Sequence, residues 1–513
     1  MSSRGKVHAL IAGAILLTAG VTGVLTGTLN SPLGGDNPAF LPAAVRWAAG
    51  LGLTDPYFNL AVTGDPAGEA RLVYHGFFYE WLVGTLMAEP TYAAALRVLA
   101  YFAMASILIG AGWLLWPKVA REAPGSWAGA FLVMGGAQAL AGEVFRNGRP
   151  ECVGTLWVVM GIVALLKLPA PWSFGLAGVM LGLLGTTSPI GAVLAGLALL
   201  AWLARELPSQ RWLAPLAWMA GGCAGAFIAS VQFYPYTFKE WIVGMMHNSG
   251  PVTEFVSYHL LKAWMFTSAA PLFGLILLVA LVPVLVDVAV QKRRLSPMRW
   301  RLYLFTLAVF ALAAVYFAPD ERNYNLRLLM PVWIIFAGVG ALRWARLGGW
   351  RSLAPWAVAG VLAIGGAEVW RQAALHLIGP RGTSREVFAG TLQQIEMRGT
   401  VALSDGLLVA MAPMDKQVSL TRVKAAGDQY TTTSTADFLC LQQINPTRQT
   451  PPQIAGWEYV WDDYSDETPR LFGLPLAGRP QGFQVAVYRR IDSKADAQGL
   501  TFPTLAAHRP QVK

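Results

Sequence analysis

The chain has 513 residues, of which 55% are apolar and only 13% are charged, whereas about 25% of the residues in an ordinary soluble domain are charged. Its net charge of +10 does not indicate nucleic acid as a partner, because the basic residues lie in short loops between apolar segments, next to lipid headgroups. The three cysteines, at positions 152, 223 and 440, are spaced for neither a disulfide framework nor a metal site.

Apolar segments of about spanning length recur along the chain. Their approximate limits are 7–29, 92–116, 126–144, 151–167, 172–186, 189–204, 213–232, 264–288, 302–317, 325–343 and 353–370. The first is predicted to be a retained span, because it is longer than the apolar region of a signal peptide and no A-x-A site closes it. The two short spans around a Ser-Pro pair at 188–189 leave one long broken helix as an alternative. The sequence therefore predicts a polytopic α-helical membrane protein with about 11 transmembrane helices.

The distribution of basic residues predicts the orientation of these helices. With a cytoplasmic N-terminus, the inside loops hold 15 Lys and Arg residues in short segments, and the outside loops hold 8 in much longer ones. This bias favours that orientation in a bacterial inner membrane, and an odd number of spans then places the C-terminus outside. Of the 16 carboxylates before residue 379, 13 fall at the outer face. Longer outer loops explain part of this excess, and an active site would also need it.

From about residue 379 the composition changes. The last 135 residues carry 14 basic and 13 acidic residues, and strand-like segments at 400–403, 438–442 and 483–488 are separated by Gly, Pro and Asp turns. This length suffices for one small α/β domain. We therefore predict a transmembrane domain over residues 1–378 and a soluble periplasmic α/β domain over residues 379–513.

The first outer loop, residues 30–91, holds two candidate features. Asp36 lies a few residues beyond the first span, and is either a turn or cap residue or a carboxylate that accepts a proton from a substrate hydroxyl. The loop ends with an aromatic stretch from Tyr74 to Leu82 that predicts a re-entrant or interfacial helix. His75 itself is either an interfacial neighbour of these aromatics or a substrate ligand. Between them, residues 38–50 are amphipathic enough to lie flat in the interface.

Two later outer loops place arginines at the mouths of spans. Arg146 and Arg149 lie between two glutamates, the second of which is Glu151. They form either a structural ion-pair cluster or a phosphate site, since the planar guanidinium matches phosphate oxygens. The fifth outer loop leads directly into a span at Arg327, where a charge is costly unless it is paired or lines a cavity.

In this order, the motifs resemble those of the GT-C superfamily, and most of all its lipid A aminoarabinose transferase and protein O-mannosyltransferase branch. These membrane glycosyltransferases use a polyprenyl-phosphate-linked sugar. Asp36 matches the Asp that follows their first span, and residues 75–79 match a His-Pro-Pro-Leu-Tyr-like stretch. Residues 149–151 match an Arg-Pro-Asp-like motif, and residues 322–331 match a late Arg- and Tyr-containing loop that enters a span with Pro. The usual Asp-Glu pair is Asp-Asn here, and the double Pro after His is Gly-Phe.

The resemblance implies an inverting transfer of a sugar from a polyprenyl-phosphate donor to an extracytoplasmic glycan, lipid or protein acceptor. Asp36 would be the catalytic base. Arg149 and Arg327, with Arg146 and Arg322, would hold the leaving lipid phosphate, and their positive charge would stabilise it in a poorly hydrated site. The other substrate-binding candidates are His75, Tyr79, Glu151 and Tyr324. No cofactor is expected, and a divalent metal, which this superfamily often does not require, is not indicated.

Three other functions stay open. A transporter or flippase would favour mid-span charges and internal repeats, whereas the charges here lie at one face. A lipid-linked glycan polymerase or O-antigen ligase would use a diphosphate donor, and the aromatic-rich outer loop 233–263 with its two histidines fits that function as well as a lid. A non-catalytic envelope scaffold would have no use for the clustered carboxylates and arginines.

Overall fold

The computed structural model describes part of the chain. The described residues are 37–54, 76–114, 149–206, 212–234, 238, 239, 289, 292, 295–316, 400–404, 407, 418–420, 423–426, 429–432, 434–445, 447–466, 470–471, 474–475 and 482–493. Those before residue 400 form eight helices of ten residues or more. These are α1 Asn37–Ala48, α2 Phe77–Leu86, α3 Tyr92–Leu114, α4 Glu151–Lys167, α5 Trp172–Thr187, α6 Pro189–Glu206, α7 Leu213–Val231 and α8 Pro297–Tyr316.

Helices α3 to α7 agree with the predicted spans to within two residues at each end, and α8 begins five residues before its predicted limit. By length and composition, one described helix, Leu213–Val231, could cross a membrane, and three shorter apolar stretches accompany it: Val153–Leu165, Trp172–Thr187 and Pro189–Leu200. The predicted spans 7–29, 126–144, 264–288, 325–343 and 353–370 lie outside the described residues, so the total of about 11 stays a prediction.

The chain turns back on itself at the Ser-Pro pair. A Cβ on Gly185 would lie 4.0 Å from Ala192 Cβ, and one on Gly196 would lie 3.8 Å from Leu181 Cδ2. Such pairs, placed nearly symmetrically about Ser188, require α5 and α6 to form an antiparallel hairpin. The two short predicted spans are therefore separate helices, and the alternative of one long broken helix is wrong.

Glycines let α5 and α7 pack in close contact. A Cβ on Gly178 would lie 2.1 Å from the carbonyl oxygen of Met219, and a Cβ on Gly182 would lie 2.3 Å from that of Cys223. Small residues allow this backbone approach between apolar helices. The contacting residue numbers increase together along the two helices, so α5 and α7 run parallel. Helix α4 packs beside α5, and α6 packs against α8.

Helices α1 and α2 form a short pair beside this bundle. A Cβ on Gly84 would lie 2.5 Å from the carbonyl oxygen of Ala44, and Trp47 Nε1 donates to Thr85 Oγ1 at 3.0 Å. The side chains of residues 40–45 are buried. The first turns of α1 therefore pack into the protein, and the expectation that residues 38–50 lie flat in the interface stays a prediction.

The described tail residues form nine strands. They are β1 Val401–Leu403, β2 Val418–Leu420, β3 Val423–Ala426, β4 Gln429–Thr432, β5 Phe438–Asn445, β6 Trp457–Asp466, β7 Arg470–Leu471, β8 Leu474–Pro475 and β9 Gly482–Arg490. Five make a mixed sheet in the order β2-β1-β5-β9-β6, parallel from β2 to β5 and antiparallel beyond. The three predicted strand segments correspond to β1, β5 and β9. The helices of an α/β domain are not among the described tail residues, so the domain limits stay a prediction.

Asp437, just before β5, joins three segments of the tail. Its carboxylate accepts hydrogen bonds from Ser493 Oγ at 2.6 Å and from the Thr400 backbone N–H at 2.8 Å. Chiefly because of the Ser493 bond, the pKa of Asp437 is below its ordinary value. A lowered folded-state pKa adds stability above the unfolded pKa of about 3.9, and that stability is lost as pH falls through the folded value. We therefore expect the tail sheet to open more often as pH falls below about 4.

Cys440 on β5 reports this opening. It is fully buried, and burial raises the pKa of its thiol to about 12. In a variant with Cys152→Ser and Cys223→Ser, labelling by 4,4′-dithiodipyridine, which reacts in acid, should accelerate below about pH 4. Adding Ser493→Ala should raise the labelling rate of Cys440 at pH 6 and reduce the further increase of that rate below pH 4. An identical pH profile with and without Ser493 would contradict the assignment to Asp437.

Candidate functional site

The structure describes three of the predicted site residues, Tyr79, Arg149 and Glu151, all near the N-terminal ends of α2 and α4. It brings Arg149 and Glu151 together. The other predicted site residues lie outside the described residues: Asp36, His75, Arg146, Arg322, Tyr324 and Arg327. Their convergence with Arg149 on one cavity stays a prediction.

Arg149 and Glu151 form a largely buried ion pair at the start of α4. Arg149 Nε and Nη2 donate to the two carboxylate oxygens of Glu151 at 3.0 and 3.3 Å, and the two side chains are only 16% and 3% exposed. The carboxylate lies in the first turn of α4, where the helix dipole favours a negative charge. The structural ion pair that the sequence suggested is therefore formed, and it fixes the position of the guanidinium.

The same guanidinium joins α4 to α1. Arg149 Cζ lies 5.0 Å from the ring centroid of Phe40, within the range of a cation–π interaction, and Phe40 is buried. Helix α1 begins at Asn37, the residue that follows Asp36 in the sequence. The first turn after the predicted base thus contacts the predicted phosphate ligand.

The residue before α2 is pressed against the end of α5. A Cβ on Gly76 would lie 2.2 Å from the carbonyl oxygen of Thr186 and 2.5 Å from that of Thr187, so a side chain does not fit there. Gly76 follows the predicted ligand His75 in the sequence. This contact therefore fixes the backbone at the point where the first outer loop enters α2.

A second buried carboxylate lies in α2. Glu80 has no exposed surface, and neither does its neighbour Tyr79. Sequence reasoning counted Glu80 with the outer carboxylates and did not single it out. The sequence signal that could have identified Glu80 is its place as the one charged residue of the helix FFYEWLVGTL. Ionisable residues inside apolar membrane segments are costly and commonly functional.

Hydroxyl groups join α4, α5 and α7 beneath the start of α2. This hydroxyl cluster consists of Thr186, Thr187 and Ser230, all buried. Ser230 Oγ donates to Thr186 Oγ1 at 3.0 Å, and Trp157 Nε1 donates to Thr187 Oγ1 at 3.2 Å. Thr187 Oγ1 donates in turn to the Leu183 carbonyl at 2.8 Å. The cluster holds the end of α5, on which Gly76 rests.

Aromatic rings from the end of α7 cover the start of α2. The ring centroids of Phe77 and Tyr234 lie 4.6 Å apart, and those of Trp81 and Phe233 lie 4.2 Å apart. Phe233 and Tyr234 are the first residues of the aromatic-rich loop 233–263. Phe233 and Tyr234 therefore pack against the protein, and the predicted lid role concerns residues of this loop outside the described part.

Replacing Thr187 by valine is expected to lower the free energy of unfolding by about 1–3 kcal/mol, because Trp157 Nε1 would lose its acceptor. Thr187→Ser keeps the oxygen and should recover most of the loss. The measurement is the unfolding of the purified protein in detergent. As a control, Thr306→Val in α8 removes a hydroxyl that donates only to carbonyls of its own helix. This change should lower the free energy of unfolding by about 0.5 kcal/mol or less. Equal effects at both positions would contradict the role of the hydroxyl cluster.

The described part of the chain contains no group of three His, Cys, Asp or Glu side chains that could hold a metal ion. The described site offers instead a guanidinium held by a carboxylate and an aromatic ring. Arginine is the side chain whose planar fork of donors matches phosphate and other oxyanions.

No protein-family model matches the chain, and no curated protein matches it. In structure it is similar to ArnT from Cupriavidus metallidurans bound to undecaprenyl phosphate, with 12% identity over 79% of this chain and 84% of that chain and a TM-score of 0.47. The apo state of ArnT is similar over 80% of this chain and 85% of that chain, at the same identity and TM-score. Arabinofuranosyltransferase AftD from Mycobacteria is similar over 93% of this chain, with 15% identity and a TM-score of 0.47, and the match spans 40% of the AftD chain.

Similarity at this level assigns neither a family nor an activity to this chain, so the GT-C resemblance and the membrane location stay predictions from the sequence. Similarity at 12–15% identity concerns the course of the backbone alone. The number of spans, the orientation of the termini and the position of the tail stay predictions, and the activity of this chain is argued below from its own residues.

Proposed function

We propose that the chain is an inverting glycosyltransferase that moves a sugar from a polyprenyl-phosphate donor to an extracytoplasmic acceptor. The observation that carries the proposal is the Arg149–Glu151 ion pair, mostly shielded from water at the end of an apolar helix. Undecaprenyl phosphate bound to ArnT is a ligand of the same chemical class. The sugar and the acceptor are not specified by these residues.

Arg149 would hold the donor phosphate. Glu151 fixes the guanidinium through Nε and Nη2, and the Phe40 ring limits its movement. The attraction between a cation held in this way and a phosphate is stronger in a poorly hydrated site. The cation also requires no reorganisation when the leaving phosphate develops its charge. Glu151 is therefore a positioning residue, and Arg149 is the predicted substrate ligand.

Asp36 would be the base in this reaction. Its carboxylate takes the proton of the acceptor hydroxyl, whose oxygen forms a bond to the anomeric carbon. The bond from that carbon to the phosphate oxygen breaks, and the polyprenyl phosphate leaves with the electron pair. Attack on the face opposite the phosphate inverts the anomeric centre. The sequence supports this role by placing Asp36 immediately before α1, whose Phe40 contacts Arg149.

The test uses the purified full-length protein in nanodiscs, with native membranes as the source of acceptor and radiolabelled polyprenyl-phosphate sugars as donors. Asp36→Asn should abolish transfer while donor binding persists. Tyr459→Phe, in the tail, is a control that should transfer normally. If Asp36→Asn transfers at the wild-type rate, the assignment of the base is wrong.

Donor choice separates this function from its alternatives. If no polyprenyl-phosphate sugar binds, the proposed class is wrong. If only polyprenyl-diphosphate glycans react, the polymerase or ligase function replaces it. If the labelled lipid crosses the bilayer without transfer of its sugar, the flippase function replaces the proposed one.

A further inference from the structure

An apolar groove opens between α5 and α7. Its volume is about 620 Å³, and its lining contains no charged side chain. Trp172 of α5 lines the groove on one side, and Trp218 and Gly221 of α7 line it on the other. A Cβ on Gly221 would meet no atom within 4 Å, so a larger side chain there would extend into the groove without disturbing the α5–α7 contact.

The groove lies at the end of the helices away from Arg149. Helix α4 runs from Glu151 to Lys167, which corresponds to about 25 Å, and the short turn after it leads directly to Leu168 and Trp172 in the groove lining. With α4 spanning the membrane as the sequence predicts, the groove and the ion pair belong to opposite membrane surfaces.

Two tryptophans place the mouth of the groove at the level of lipid headgroups. Trp172 and Trp218 are 66% and 46% exposed, and their ring centroids lie 6.3 Å apart. Tryptophan gathers at the membrane–water interface. The groove thus starts at headgroup level and runs along α5 toward Val179, about two helical turns into the hydrocarbon.

We propose that the groove binds an acyl chain of an anionic phospholipid whose headgroup phosphate contacts Lys167. Lys167 is exposed and immediately precedes Leu168 at the rim, so its charge complements an anionic headgroup. An apolar groove only two turns long suits the first part of an acyl chain, whereas a partner helix about 10 Å wide would need a longer contact. The site is separate from the proposed sugar transfer and does not depend on it.

The test is photo-crosslinking of the full-length protein, in nanodiscs, with phosphatidylglycerol that carries a diazirine in one acyl chain. Wild type should be labelled on α5 and α7 within the groove. Gly221→Leu fills the groove and should reduce this labelling at least about five-fold, a factor that corresponds to one lost apolar contact of about 1 kcal/mol. Gly225→Leu is the matched control, because a Cβ on Gly225 also meets no atom within 4 Å but Gly225 does not line the groove.

The headgroup is tested separately. Phosphatidylglycerol should label the groove about five-fold more than phosphatidylcholine with the same chain, as expected for one lysine at an anionic surface, and Lys167→Gln should remove this preference. Equal labelling of Gly221→Leu and Gly225→Leu would overturn the proposal. So would displacement of the probe by equimolar polyprenyl phosphate, which would assign the groove to the donor tail, or a change of oligomeric state in Gly221→Leu, which would assign it to a second copy.

Discussion

Arg149→Ala is expected both to destabilise the protein by about 3–5 kcal/mol and to lower the kcat of sugar transfer by about 10²–10³-fold. The first effect arises because the Glu151 carboxylate, 3% exposed, would stay buried without its partner. The second arises because the leaving phosphate would lose a pre-positioned donor. Unfolding in detergent measures the first effect, and single-turnover transfer at saturating donor measures the second.

A double variant separates the two effects. Arg149→Ala combined with Glu151→Ala removes the uncompensated charge, so stability should recover in part while transfer stays low. The exposed pair Arg489–Glu458, whose side chains are 30% and 54% exposed, is a control for the loss of an arginine, and Arg489→Ala should cost about 1 kcal/mol or less. Normal transfer by the double variant would mean that Arg149 has only a structural role.

Gly76→Ala is expected to lower the free energy of unfolding by at least as much as a typical overpacking substitution in a core, which is about 1–3 kcal/mol. The added Cβ would collide with backbone atoms of Thr186 and Thr187 at 2.2–2.5 Å, and backbone cannot move aside as a flexible side chain can. Helix α2 would have to shift relative to α5. Unfolding of the purified protein measures the effect, and donor binding reports whether the end of the first outer loop has moved.

Gly225→Ala is the matched control for this substitution. A Cβ there meets open space, and alanine in a helix interior is favoured over glycine by about 1 kcal/mol. We therefore expect Gly225→Ala to be neutral or stabilising. If Gly76→Ala were equally well tolerated, the close contact between the start of α2 and the end of α5 would be wrong.

The sequence predicted the limits of α4 and α5 well because both signals at their ends are local. The apolar runs stop at Lys167 and resume at Trp172, and proline occupies the turn between them. The hairpin of α5 and α6 was less accessible, because Ser-Pro marks a break but not the angle of the chain beyond it. That angle depends on which helix faces pack together.

The candidate site was predictable only where neighbours in sequence are also neighbours in space. Arg149 and Glu151 are two residues apart, and their charges suggested the pair that the structure contains. The contact of Arg149 with Phe40 and of Gly76 with Thr186 joins segments about 110 residues apart, and no local pattern encodes it. Glu80 was counted with the outer carboxylates and was not singled out, because no local pattern shows that the packing of α2 encloses its side chain.

If α4 and α5 span the membrane as the sequence predicts, their shortness has a consequence for the surrounding bilayer. With 17 and 16 residues they extend only about 25 Å, less than the hydrocarbon thickness of about 30 Å. Hydrophobic mismatch of this kind is relieved by local thinning of the lipid around the helices. Thinning on the side of Arg149 would bring lipid headgroups down toward the ion pair, so a phosphate attached to a long lipid would reach the guanidinium without leaving its own leaflet.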